Sequence, residues 1–121
     1  MSIDQEFQIN FYEKVLKKNP SYIDVIELLA GLYTQQGRVD DGLKMDRKLV
    51  RLMPENPNAH YNLACSLALK GRKADAVASL RQALDHGYDD FKWLKGDPDL
   101  KGLRDYPAFD AILKEIQEKG D

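Results

Sequence analysis

Cysteine and tryptophan occur once each and histidine only twice, and no apolar run approaches the length a membrane helix needs. The lone cysteine, Cys65, cannot close a disulfide within the chain and suits a reducing compartment. The N-terminal stretch carries acids and no unbroken apolar core, so it does not read as a secretory signal. Crossing a bilayer takes about 20 apolar residues in a row. The expectation is therefore a soluble, cytoplasmic protein with no membrane partner. Basic clusters are also missing: the net charge is −2 and is spread evenly, leaving nothing for a phosphate backbone to grip. Nucleic acid is not an expected partner.

Chemistry-bearing motifs are equally scarce. The sequence has no phosphate loop, no zinc-ligand spacing and no paired-carboxylate motif. His60 and Cys65 stand five residues apart on a predicted helix, hence on different faces and not as a base and nucleophile. Asp40-Asp41, Asp89-Asp90 and Asp97/Asp99 each fall at a predicted helix start, where carboxylates favour the positive end of the helix dipole. They read as caps. The sequence predicts no catalytic residue, no metal and no cofactor, and hence no enzyme.

What is present is a repeat. Gly37 and Gly71 lie 34 residues apart, and at the same offset Leu29/Leu63, Ala30/Ala64, Arg38/Arg72, Asp41/Asp75 and Arg47/Arg81 coincide. That period belongs to a helix–turn–helix unit. With 43% hydrophobic and 31% charged residues the chain is globular, not disordered.

Punctuation divides it into helices. The first is predicted over Ile3 to Lys18, where Phe7, Phe11, Val15, Tyr12 and Leu16 form one broad apolar face. Ser2 and Gln5 have capping-box spacing, and Pro20 closes the run. A second helix is predicted from Tyr22 to Gln36 with Gly37 as its stop, and a third from Val39 to Met53 closed by Pro54. Asn56 or Pro57 opens a fourth that ends before Gly71, and a fifth covers Lys73 to His86 with Gly87 as its stop. Short loops make such neighbours antiparallel. Two proline breaks then predict short pieces near Asp90–Lys95 and Pro98–Arg104, and a last helix from Pro107 to Glu118. This irregular tail reads as a cap.

These residues resemble the tetratricopeptide repeat. Ile26, Leu29, Ala30, Tyr33, Gly42, Asp46, Leu49 and Pro54 fill the family's pattern in one repeat, and His60, Leu63, Ala64, Leu67, Ala76, Leu80, Ala83 and Tyr88 fill it in the next. Tyr12, Val15 and Pro20 match the second half of an earlier one, and the tail resembles the closing segment of many bacterial repeat proteins. The resemblance implies an all-α fold of antiparallel helix pairs stacked as a short right-handed superhelix with an irregular helical cap. The chain is then a single domain: residues 1–20 a half repeat, 21–56 and 57–88 full repeats, 89–121 the cap. Asp46 and His60 depart from the pattern, standing where the family packs large apolar rings. Their tips are expected to reach solvent or a local partner; the sharper alternative pairs the two.

The same frame implies function. First helices of such repeats line a groove for a peptide or helix of another protein, here Asp24, Glu27, Gly31, Thr34 and Gln35, then Asn58, Tyr61, Asn62, Cys65, Ala68 and Leu69. In the family version that grips a chaperone C-terminus, five polar residues are required at Glu27, Gly31, Asn62, Lys92 and Gly96. Asn62 and Lys92 match but Glu27 reverses the charge, which excludes that ligand. The implied role is a noncatalytic protein-binding adaptor. The alternative is self-association through the apolar Phe7 and Phe11, giving a homo-oligomer.

Overall fold

The computed structural model describes residues 3–119, and all their regular structure is helical. It consists of two compact units, Met1–Pro54 and Glu55–Asp121.

The first unit holds α1 (Ile3–Lys18), α2 (Ile23–Gln35) and α3 (Val39–Leu52), with α2 packed on both others. Ile9, Val25, Leu29 and Tyr33 form one buried cluster, with Tyr12, Val15, Leu16, Leu32 and Met45 packed around it, and Ile26, Leu43 and Leu49 are buried in the same unit. The apolar face expected on α1 is split. Tyr12, Val15 and Leu16 turn inward around Ile9, whereas Phe7 and Phe11 face solvent. Ser2 lies outside the described residues. Gln5 directs its side-chain amide to Gln35 and Gln36 of the neighbouring helix end. The Tyr33 hydroxyl donates to Glu13 at 2.5 Å, and burial together with that carboxylate pushes the phenol well above its ordinary value.

The second unit holds α4 (Pro57–Leu69), α5 (Lys73–Asp85), α6 (Phe91–Gly96), a 3-10 segment (Pro98–Leu103) and α7 (Pro107–Glu118). Helix α4 packs on α5 and on the 3-10 segment, and α7 packs on α5. The buried residues include the repeat-pattern positions of α4 and α5 (Leu63, Ala64, Leu67, Ala76, Leu80, Ala83) and Val77, joined by Leu94, Leu100, Leu103, Phe109, Ile112 and Ile116 of the tail. Lys114, Glu115 and Glu118 of α7 face water, and Glu115 pairs with Arg81 of α5.

The repeated residues have local causes. Gly37 and Gly71 adopt φ of +74° and +77°, a region that side chains with a Cβ avoid. There the amide of the next residue reaches back: Arg38 to the Tyr33 carbonyl at 2.8 Å, Arg72 to Leu67 at 2.9 Å. The same arginines pair with Asp41 and Asp75 one turn into the following helix. These pairs are exposed, so they contribute about 0–1 kcal/mol each and mainly fix where the helix begins. Gly42 has a packing cause: a Cβ there would meet the Thr34 hydroxyl at 3.0 Å, so α2 and α3 approach closely only because it has none.

Candidate interaction surface

The groove-lining residues sort differently in the two units. On α2, Asp24, Glu27, Gly31 and Gln35 are exposed and Thr34 is half-buried, its hydroxyl turned back onto the Ala30 carbonyl at 3.0 Å. Leu28, about half exposed, joins them. At 100° per residue these positions (24, 27, 28, 31 and 35) fall within roughly a third of the helix circumference, making one continuous strip. Nothing lies within 4 Å of the position a Cβ would take at Gly31, so the helix backbone is bare there.

On α4 the tail has taken part of the expected face. Asn58, Asn62 and Leu69 are exposed, but Tyr61, Cys65 and Ala68 are buried. The Tyr61 hydroxyl donates to Asp97 Oδ2 at 2.6 Å, and the Cys65 thiol lies 3.5 Å from the same oxygen. Asp97 Oδ1 accepts the Asp99 amide at 2.9 Å, capping the 3-10 segment behind Pro98. The Tyr61 ring stacks on Tyr88 with centroids 4.2 Å apart and planes nearly parallel. Tyr88 stands where the repeat pattern places proline, and the stack gives it a packing role there. Tyr61 and Cys65 thus hold the tail down and offer no open contact to a guest.

Electrostatics agree with enclosure. Burial, then the bond to Asp97, raises the Tyr61 phenol far above its ordinary range, and burial beside the Asp97 charge raises the Cys65 thiol likewise. Tyr88 is pushed up to about 12 by burial, the Tyr61 hydroxyl opposing. Cys65 is therefore a neutral thiol at physiological pH, not a nucleophile. Cys65, Asp97 and Asp99 bring a sulfur and two carboxylates within 4.8 Å, yet both Asp97 oxygens already accept protein hydrogen bonds. The cluster is accounted for as a latch.

Asp99 pays for its position. Burial, then the Asp97 charge, raises its carboxyl above the usual value. With a folded pKa above the unfolded one, there is no penalty in acid below the unfolded value. The penalty grows as pH rises from the unfolded value through the folded one. Asp99→Asn is accordingly expected to melt above wild type near pH 7, with the advantage gone at about pH 3; thermal unfolding at the two pH values measures it.

The pattern departures are buried, not solvent-facing. Asp46 and His60 are both enclosed, and the His60 ring stacks on His86 with centroids 5.0 Å apart. Lys92 and Gly96 are exposed on the short α6 beside Asp89, Asp90 and Lys119, where an open cleft forms.

Antiparallel helix pairs, a 34-residue period and matching glycine stops define a helical-repeat protein with the tetratricopeptide-repeat fold. No family model matches the chain. Among curated proteins it is similar to a chloroplastic protein of Arabidopsis thaliana, with 31% identity over 118 residues and 94% of this chain aligned. The match takes in 35% of that protein, so the chain spans about a third of its relative's length. Among solved structures, a crystal structure of MamA superposes with a TM-score of 0.70 at 20% identity, covering 98% of this chain and 76% of that one. A second, MamA MSR-1 C2, gives 0.69 at 20% identity over 98% and 71%. Repeat folds of this type typically serve protein–protein interaction. Among the described residues, no helix is long and apolar enough to cross a membrane.

Proposed function

We propose that the chain is a noncatalytic adaptor that binds a peptide or helix of a partner protein, with the exposed strip of α2 as its principal contact. The observation that carries this reading is the composition of that strip. Two acids, Asp24 and Glu27, flank a solvent-exposed leucine and a bare stretch of backbone at Gly31. A complementary segment has an apolar side chain for Leu28 and one or two basic groups for the acids. On α4, Asn58, Asn62 and Leu69 are a smaller surface of the same kind, with Asn62 able both to donate to and accept from a peptide backbone. The neutral, enclosed Cys65 suits the reducing cytoplasm in this reading.

Affinity capture tests it: wild type is compared with Glu27→Lys/Leu28→Ser, with Asn62→Arg, and with Arg47→Ala on the exposed face of α3 as control. Loss of the same captured protein by the α2 variant, with the control unchanged, is expected. Identical capture by all four chains removes the proposal. Gly31→Ala adds a second reading. Its Cβ meets nothing and glycine inside a helix costs about 1 kcal/mol, so the variant is expected to be more stable by about 0.4–1 kcal/mol. If a partner's backbone uses that gap, capture falls while the melting temperature rises.

A further inference from the structure

The outer face of α1 carries apolar side chains that nothing in its own unit covers. Ile3, Phe7 and Phe11 are 84%, 69% and 53% exposed, whereas the inward positions of the helix are already packed around Ile9. At four-residue spacing the three form one stripe along the helix. Two phenylalanines exposed side by side point to an interaction surface.

The charges beside the stripe say which helix. Asp4 and Glu6 are exposed at its beginning, and Lys14, Lys17 and Lys18 are exposed at its end. Glu13 faces the other way, engaged with Tyr33 and Arg38. A helix that is acidic at one end and basic at the other is complementary to itself when two copies run in opposite directions. Run in the same direction, acids would meet acids and lysines would meet lysines. A two-fold axis through an interface repeats every contact, which suits a self-complementary stripe.

We propose that α1 is a homotypic docking helix: two copies of this chain pack their α1 helices antiparallel about Phe11. In that register Phe11 meets its counterpart, Phe7 lies over the aliphatic stem of Lys14 of the other copy, and Asp4 and Glu6 oppose Lys18 and Lys17. The aromatic rings supply the buried area and the end charges fix direction and register. Because the charges sit at the rim, they are partly screened at physiological salt.

Sedimentation or light scattering of the 121-residue chain over about a thousandfold range of concentration tests the proposal. Wild type is expected to pass from monomer to dimer. Phe7→Gln/Phe11→Gln weakens the dimer by at least about tenfold, with helix content by circular dichroism unchanged because both rings are outside the core. Asp4→Lys/Glu6→Lys and Lys17→Glu/Lys18→Glu are each expected to be monomeric alone and to form a dimer when mixed. The chain with all four reversals dimerises with itself. Wild type that stays monomeric at every concentration overturns the proposal, including when α1 captures a different protein. A dimer indifferent to the phenylalanine changes overturns it too, as do reversal variants that stay apart on mixing.

Discussion

Asp97→Ala is expected to destabilise the Glu55–Asp121 unit by about 3 kcal/mol. The substitution leaves the buried Tyr61 hydroxyl and Cys65 thiol without their acceptor and uncaps the 3-10 segment. A buried donor left unmatched costs about 1–3 kcal/mol and a lost cap about 1 kcal/mol. Asp97→Asn keeps an acceptor in the same place and should lose less. Tyr61→Phe removes one donor while the carboxylate keeps its other two contacts, so it too should fall below the alanine variant. Urea unfolding followed by the fluorescence of Trp93, the single tryptophan and part of the tail itself, ranks the three. Equal stability of Asp97→Ala and wild type would mean that the tail is held by its leucines alone.

The second large effect is chemical protection of Cys65. Alkylation consumes the thiolate, and here the thiol is both enclosed and held protonated by burial and by the Asp97 charge. Reaction therefore waits for the tail to leave α4. For a unit stable by about 4 kcal/mol or more, native labelling by iodoacetamide should be at least about a thousandfold slower than labelling in denaturant. Asp97→Ala should recover about a hundredfold of that, since its stability loss converts directly into open population. Mass spectrometry of timed samples gives both rates. Labelling of the native wild type at the denatured rate would show that the latch stays open in solution.

The two effects share a cause that the repeat pattern did not reveal. Helix limits were legible because prolines and glycines act locally: Pro20, Gly37, Pro54, Gly71 and Gly87 stop helices wherever they stand. Core positions in α2, α4 and α5 were legible because the repeat carries them twice. The repeat frame puts Tyr61 and Cys65 in an open groove because those positions are open when another repeat follows. Their actual cover comes from Asp97, 36 residues beyond Tyr61, in a segment with no period. A signal was present: Leu100 and Leu103 in the tail need something to bury against, and Tyr88 replaces a proline. On α1 the four-residue series Phe7, Phe11, Val15 rotates about 40° per step, so its members drift from solvent to core. Ile9, on the opposite side, was the residue that mattered for packing. Leu28 stands outside the repeat pattern, and its exposure beside the buried Leu29 follows from the roughly 100° turn between neighbouring helix positions.

The latch also bears on how a chain like this lengthens over evolutionary time. With Leu100, Leu103, Ile112 and Ile116 folded inward and Lys114, Glu115 and Glu118 turned outward, the outer face of α7 offers a duplicated helix pair little apolar surface to nestle on. The closing arrangement of Tyr61, Tyr88 and Asp97 lies wholly within residues 55–121. The Glu55–Asp121 unit thus carries its own closure, made by side chains from three of its segments.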